Sequence, residues 1–122
     1  MKIFNEVFYL REEAEKAFPP VDVYEKPGEL IVIIDMPGVD VRDVLIKIYR
    51  DELLLEGVKK KQQEELVNYL CVEREFRSFR RRIKLPAEVV PERGLAKYQN
   101  GVIIVTLPKR EDRVYKIKIE ID

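Results

Sequence analysis

The chain has 122 residues, enough for one domain, and 46% of them are apolar, enough for one hydrophobic core. Its 23 basic and 23 acidic residues balance, so no net charge steers the whole chain toward nucleic acid or anionic lipid. Histidine is absent and there is one cysteine, which excludes imidazole chemistry and an internal disulfide and favours a reducing, cytoplasmic location.

The composition also excludes the common enzyme classes. Apart from the tyrosines, only Ser78 and Thr106 carry hydroxyl groups, so a Ser-His-Asp or Cys-His apparatus cannot be assembled. The glycines are scattered and the carboxylates form no calcium loop, so we expect no enzyme, no cofactor and no metal site. Cys71, between Leu70 and Val72, is predicted to be a small buried residue; a reactive thiol is the alternative.

The first segment has helical periodicity. Apolar residues recur at helical spacing between acidic and basic ones as far as Phe18, which predicts a short amphipathic arm that Pro19 and Pro20 end. The arm has no apolar stretch of signal-peptide length, and no later segment approaches the ~20 apolar residues that span a bilayer. We therefore expect no membrane span.

After the double proline, strand-like runs alternate with turn signals to the end of the domain. Leu30–Ile34 is continuously apolar, which predicts a strand buried on both faces. Asn100-Gly101 predicts a tight hairpin, whereas Lys59–Glu65 is polar and predicts an exposed loop. The predicted strands are Val21–Tyr24, Leu30–Ile34, Val44–Tyr49, Glu52–Val58, Tyr69–Phe76, Phe79–Leu85, Leu95–Tyr98 and Val102–Leu107. Seven or eight short strands predict an all-β antiparallel sandwich.

A basic segment lies in the middle of the chain, where residues 59–84 hold nine bases against four acids. Such a segment is a candidate phosphate-binding patch. Strand alternation, however, places Arg80 and Arg82 on one face and Arg81 on the other, so the basic stripe is narrow. We expect no nucleic-acid binding.

The end of the chain presents a ridge of branched side chains. After a charged linker, Ile117, Ile119 and Ile121 alternate with charged residues, so a strand would carry all three on one side. This ridge either folds back as one more strand of its own sandwich or docks into the edge of another subunit. The charged linker favours docking.

Four short motifs carry a resemblance to a known family. Residues 96–103 read A-K-Y-Q-N-G-V-I, residues 35–39 read D-M-P-G-V, residues 53–57 read L-L-L-E-G and residues 117–119 read I-K-I. Together they resemble the A-x-x-x-x-G-V-L, D-x-P-G, L-x-I-x-G and C-terminal I-x-I motifs of small heat shock proteins, the Hsp20 or α-crystallin-domain chaperones. The resemblance implies an immunoglobulin-like β-sandwich, the α-crystallin domain, over residues 20–109, between a short helical arm (1–19) and an extended tail (110–122).

The resemblance also implies roles for individual residues. The tail isoleucines would anchor in a groove of a neighbouring dimer, between the strands around Val44–Tyr49 and Phe79–Leu85, with the Ile117-Ile119 and Ile119-Ile121 registers both open. The residues that would line this groove are Val44, Ile46, Ile48, Phe79 and Ile83. A short strand at Leu66–Asn68 would exchange onto the first strand of the partner. The residues of that dimer contact would be Val21, Val23, Leu66, Val67 and Arg81.

The predicted function follows from these apolar segments. Phe4, Val7, Phe8 and Phe18 would cover apolar surface on unfolding client proteins, which makes the protein an ATP-independent holdase whose partners are itself and its clients. Two departures from the family pattern stand out. Arg77 occupies a position where the family often has glycine, and the short arm leaves the size of the assembly open. The alternative function is a monomeric sandwich-type co-chaperone that binds one specific partner.

Overall fold

The computed structural model describes residues 17–111 and 116–122. The helical arm predicted before Pro19, together with Phe4, Val7 and Phe8, lies almost entirely outside the described residues. The described residues form seven strands and two single-turn 3-10 helices, Val41–Asp43 and Pro91–Arg93. The strands are β1 (Val21–Lys26), β2 (Glu29–Asp35), β3 (Val44–Tyr49), β4 (Glu52–Val58), β5 (Ser78–Lys84), β6 (Leu95–Gln99) and β7 (Val102–Pro108).

The strands form two antiparallel sheets, one with the order β1-β2-β7-β6 and one with the order β3-β4-β5. This arrangement confirms the predicted all-β sandwich. The β6–β7 hairpin turns at Asn100 and Gly101, whose φ angles of 53° and 77° are those that the Asn-Gly signal predicts. In this hairpin Ala96 pairs with Val105 and Tyr98 with Ile103, so all four side chains face the inside of the sandwich.

The core lies between the two sheets and is built by period-two alternation. Leu30, Val32 and Ile34 of β2 are 0% exposed, as are Leu53 and Leu55 of β4, and these side chains face one another across the sandwich. The prediction for Leu30–Ile34 is largely confirmed, since Ile31 is also buried and Ile33 is half-buried. A core of branched aliphatic residues fixes the strand register, because a slip of one residue would turn every one of them toward solvent.

The relative position of the sheets follows from contacts near the start of β1. The Phe18 and Phe79 rings lie 6.0 Å apart edge to face, and Arg81 Nη1 donates to the Pro19 carbonyl at 2.9 Å. These contacts place β5 beside β1, so β3, at the other edge of its sheet, lies toward β7 and β6. A four-stranded sheet over a three-stranded one leaves β6 as an overhang, and Ala96 and Tyr98 are exposed although they face inward.

Three predictions about the long loop between β4 and β5 are wrong or incomplete. The predicted strand Tyr69–Phe76 is irregular chain, because alternation alone supplies no neighbouring strand to accept its backbone hydrogen bonds. Cys71 is exposed rather than buried, and its Sγ lies 3.5 Å from Glu73 Oε1. Lys59, predicted to begin an exposed loop, is only 9% exposed and donates its backbone N–H to the Arg77 carbonyl.

Candidate assembly and client-binding surfaces

The tail isoleucines stand clear of the sandwich. Ile117, Ile119 and Ile121 are 86%, 88% and 96% exposed, and the residues described here on either side of them form no strand. Residues 116–122, which carry the isoleucines, belong to neither sheet, so the alternative in which they fold back as a strand of their own sandwich is wrong for the single chain. Three large apolar side chains on one extended segment form a surface that water disfavours and that a second molecule can cover.

The stacking of the two sheets brings the free edge of β3 toward the free edge of β6, and we call the space between these two edges the β3–β6 cleft. Val44, Ile46 and Ile48 point inward from β3 and are half-buried against the core. Across from them, β6 presents the inward-facing Ala96 and Tyr98, which is 40% exposed. Since both strands are sheet edges, backbone groups along this cleft lack partners among the described residues and can pair with an added strand.

The residues predicted to line one groove between β3 and β5 are separated by β4, although an open pocket at one end of the sheet is lined by both Val44 and Phe79, with Gly57 of β4 between them. Strand β4 lies between these two strands and pairs with both of them. Phe79 and Ile83 are only 6% and 8% exposed because they belong to the core. Three of the five predicted groove residues, Val44, Ile46 and Ile48, therefore line an open cleft, but its other wall is β6. Sequence reasoning missed Ala96 and Tyr98, which the hairpin register around Asn100-Gly101 places on the inner face.

The hydroxyl group of Tyr98 fixes the overhanging strand. It donates to the Met36 carbonyl at 2.8 Å, a contact between residues 62 positions apart. Met36 is 0% exposed and directly follows β2. The hydrogen bond therefore fixes β6 to the buried start of the loop that follows β2. Because this hydrogen bond holds β6 in place, one wall of the cleft is ordered before binding. Less conformational entropy is then lost when a second segment binds.

Ion pairs hold the turns at both ends of β3. Arg42 donates to Asp40 at 2.7 Å and lowers the pKa of that carboxyl group from 3.8 to about 2. Lys84 Nζ lies 2.7 Å from Asp51 Oδ2 and lowers the pKa of the Asp51 carboxyl group. Carboxyl groups with lowered pKa values stabilise the fold above their unfolded pKa and lose that contribution as the pH falls below it. Both ion pairs are exposed, so their contribution is small; it is present throughout the neutral range and is lost only as acid protonates the two carboxyl groups, below about pH 4.

Residues Phe18 and Pro19 are held against β5 rather than free. The Phe18 ring packs on Phe79, the Arg77 guanidinium lies 5.3 Å from the Phe18 centroid, and Arg81 binds the Pro19 carbonyl. Phe18, predicted as a client-binding residue, is thus partly buried in its own subunit. Arg81, predicted at the dimer contact, also has a contact within its own chain, and its role between chains stays a prediction.

Replacement of Arg81 by methionine tests this contact. We expect the free energy of unfolding to fall by about 1–3 kcal/mol, because the carbonyl of the buried Pro19 loses a charged donor. Cleavage near Ala17 by a non-specific protease should also become faster. Arg80→Met is the matched control, since Arg80 lies one residue away on the exposed face, and it should change stability by less than about 0.5 kcal/mol. Equal effects of the two substitutions would contradict the assigned role.

The loop between β4 and β5 carries a second exposed apolar surface. Leu66 and Leu70 are 105% and 93% exposed, and Val67 is 47% exposed. Leu66 has a φ angle of 59°, and in the single chain Leu66–Asn68 forms no strand. The predicted pairing of this segment with β1 needs a second chain. Strand β1 is a sheet edge whose Val21 and Val23 face inward and are half-buried.

The basic stripe on β5 is offset by acidic neighbours. Arg80 and Arg82 are exposed on the outer face, opposite to the half-buried Arg81, as alternation predicts. Arg80 Nε lies 3.8 Å from Glu56 and Arg82 Nε 3.9 Å from Glu52, both on the adjacent strand. Because each arginine already faces a carboxylate, the face carries little free positive charge for phosphate groups.

Over residues 17–111 and 116–122, no cluster of three or more cysteine and acidic side chains is arranged to hold a metal ion. Within the same ranges, no helix has the length and apolarity needed to cross a membrane. Four surfaces suit contacts with other polypeptides: the tail ridge, the β3–β6 cleft, the β1 edge and the β4–β5 loop.

Comparison with known proteins gives a single answer. The Hsp20/alpha crystallin family profile matches residues 22–122. Small heat shock protein C2 of Rickettsia felis is 30% identical over 96% of this chain and 79% of its own length. The 17.9 kDa class II heat shock protein of Helianthus annuus is 33% identical over 83% of this chain and 64% of its own length.

Solved structures agree with these relatives. Heat shock protein 16.0 of Schizosaccharomyces pombe superposes with a TM-score of 0.70 at 32% identity, over 84% of this chain and 96% of that one. A small heat-shock protein of Xylella fastidiosa, described as having a distinct high order structure, also gives 0.70, at 26% identity over 84% and 94% of the two chains.

Proposed function

Because the chain belongs to the Hsp20/alpha crystallin family, whose profile covers residues 22–122, we propose that it is an ATP-independent chaperone that binds partly unfolded proteins and limits their aggregation. The observation that carries this proposal is the isoleucine ridge of the tail, which is at least 86% exposed and has no cover in its own subunit. Burial of such a ridge against another molecule removes apolar surface from water and is therefore favourable.

We propose that the ridge docks into the β3–β6 cleft of another copy. The tail would add as an extended strand, with its isoleucines against Val44, Ile46, Ile48 and the inward side of Tyr98. The two edge strands offer unpaired backbone groups, and the half-buried aliphatic side chains offer an apolar floor. Burial of each isoleucine stabilises such a contact by about 1.5–3 kcal/mol. The Xylella fastidiosa neighbour, described by its high order structure, supports assembly beyond a dimer.

The dimer within this assembly would form through the β4–β5 loop. Leu66 and Val67 are exposed in the single chain and would add, as a short strand, to the β1 edge of the partner near Val21 and Val23. Arg81 would support the contact from β5, which lies beside β1. This exchange would remove a strand edge and an exposed apolar loop together, and both are liabilities in a lone subunit.

Client binding would then use apolar segments that the assembly leaves accessible. An unfolding protein exposes apolar surface whose burial is worth about 25 cal/mol per Å², so no ATP is needed to hold it. Phe4, Val7 and Phe8 of the arm are the proposed contacts, and release of Phe18 from Phe79 would add a fourth. The arm (1–19) would thus bind clients, the domain (20–109) would form the dimer and the tail (110–122) would join dimers. The single cysteine supports a cytoplasmic location.

Heating an aggregation-prone client with and without the protein tests this function. In the absence of nucleotide, we expect a molar excess of the protein to reduce client turbidity at least severalfold, because clients are covered before they meet one another. Bovine serum albumin at equal mass is the control for crowding. Turbidity that matches the albumin control would contradict the proposal. A particle that stays monomeric in light scattering and leaves turbidity unchanged would favour the co-chaperone alternative.

A further inference from the structure

The outer face of the four-stranded sheet carries an apolar patch that the core does not use. Two rows of side chains cross all four strands on this face. The first row is Tyr24, Ile31, Thr106 and Leu95, and the second is Asp22, Ile33, Ile104 and Lys97. We call the six residues Tyr24, Ile31, Ile33, Leu95, Ile104 and Thr106 the outer patch.

The outer patch is apolar and partly exposed. Ile31 is 4% exposed although it points away from the core cluster, so its neighbours on the outer face cover it. Tyr24 and Leu95, at the two ends of the first row, are 45% and 55% exposed. The apolar area open to a second polypeptide therefore lies at the two ends of the first row and on the half-buried Ile33 and Ile104 of the second.

The second row adds opposite charges at its two ends. Asp22 lies on β1 and Lys97 on β6, and both are exposed. Three strand spacings separate them, about 14 Å, so they cannot pair within one chain. In the described ranges neither of them has an ion-pair partner.

This pattern is self-complementary. A twofold axis along the strands, midway between β2 and β7, would place β1 of one copy over β6 of the other. Asp22 would then face Lys97 of the second copy, Ile33 would face Ile104, and Tyr24 would face Leu95. Each contact would occur twice, as an isologous interface requires. Sheets that pack face to face at about 30° keep such rows in approximate register.

We propose that the outer faces of the four-stranded sheets of two copies pack against each other around this axis. We infer that the second polypeptide is another copy of this chain, because the twofold rotation reverses the second row. It then places Asp22 of each copy opposite Lys97 of the other. This contact is separate from the tail and loop contacts, which use strand edges. A face four strands wide is a small interface, so it would reinforce an assembly that other contacts already hold together.

Cross-linking between single cysteines tests the contact in the full chain. In a Cys71→Ser background, Tyr24→Cys and Leu95→Cys chains are co-expressed and treated with a short bismaleimide that spans the ~10 Å between packed sheets. We expect covalent dimers joined between positions 24 and 95 from the mixture and severalfold fewer from either chain alone. Arg82→Cys co-expressed with Leu95→Cys is the control, because Arg82 lies on the outer face of the other sheet.

Charge reversal on both probe chains provides a second test. Asp22→Lys or Lys97→Asp alone should lower the yield of the 24–95 link severalfold, because like charges then face each other, and the combined exchange should restore it. A yield of the 24–95 cross-linked dimer no higher than that of the Arg82 control would overturn the proposal. This result is expected if the arm or a client covers the face instead. Reversals without effect, or an exchange that does not restore the link, would also overturn it. Client turbidity is a separate readout, so failure of the holdase proposal is recognised independently.

Discussion

Replacement of Ile117 and Ile119 by alanine is expected to shift the protein from the proposed higher oligomer toward dimers. The two substitutions remove most of the apolar surface that the tail can bury in the β3–β6 cleft. At about 1–2 kcal/mol for each side chain, docking would weaken between about 30-fold and 1,000-fold. Multi-angle light scattering behind a sizing column measures the resulting mass directly. The proposed dimer contact uses the β4–β5 loop and should survive.

Lys118→Ala with Glu120→Ala is the matched control for this experiment. These residues lie on the same segment but on the opposite side of the extended chain, and together their removal leaves the net charge unchanged. The control should keep the mass of the parent. Comparison with Ile119→Ala/Ile121→Ala identifies the register, since the pair that docks will give the larger loss of mass. An unchanged mass for both isoleucine pairs would exclude tail docking.

Replacement of Gly57 by alanine is expected to cause a large loss of stability. Gly57 pairs with Val44 at the start of β3, and a Cβ atom there would overlap the Asp43 carbonyl oxygen and lie 2.9 Å from Phe79 Cζ. Neither neighbour can move freely, since one is backbone and the other belongs to the core. Overpacking of this kind costs about 2–3 kcal/mol, or roughly 10 °C in Tm, in thermal unfolding followed by circular dichroism.

Gly28→Asn is the control for the loss of a glycine. Gly28 has a φ angle of 79°, but a Cβ atom there would meet nothing within 4 Å. Asparagine tolerates this backbone region, so the cost should stay below about 1 kcal/mol. If Gly57→Ala were no more destabilising than Gly28→Asn, the close approach of β3, β4 and Phe79 would not be the reason for glycine in this motif.

Much of the fold was predictable because the relevant signals are local. The β6–β7 hairpin follows from Asn100-Gly101, whose positive φ angles match the turn, and the inward alternation of β4 follows from Leu53 and Leu55. The predicted strand Tyr69–Phe76 failed because a strand also needs a neighbour, which sequence alternation does not supply. The prediction that Cys71 is buried was wrong for the same reason, since its apolar neighbours belong to a loop with no sheet to pack against.

Only one wall of the β3–β6 cleft was predictable from the sequence, because its two walls belong to different sheets. Val44, Ile46 and Ile48 were identified from their alternation, but the opposite wall depends on how the sheets stack. The consecutive order of β3, β4 and β5 already suggests that β4 separates the outer two, and this argument would have excluded Phe79 and Ile83. The overhang of β6 becomes visible only when Phe18 and Arg81 place β5 beside β1.

The central claim, that the tail isoleucines of one copy are covered by the β3–β6 cleft of another, is tested most directly by photo-cross-linking. A photoreactive amino acid at position 119 of the full chain is irradiated at the temperature at which client aggregation is suppressed, and the linked peptides are identified by mass spectrometry. The account predicts links between different copies, to Val44–Tyr49 and Leu95–Gln99. Links confined to the same chain, or directed to Ser78–Lys84 in place of β3 and β6, would contradict it.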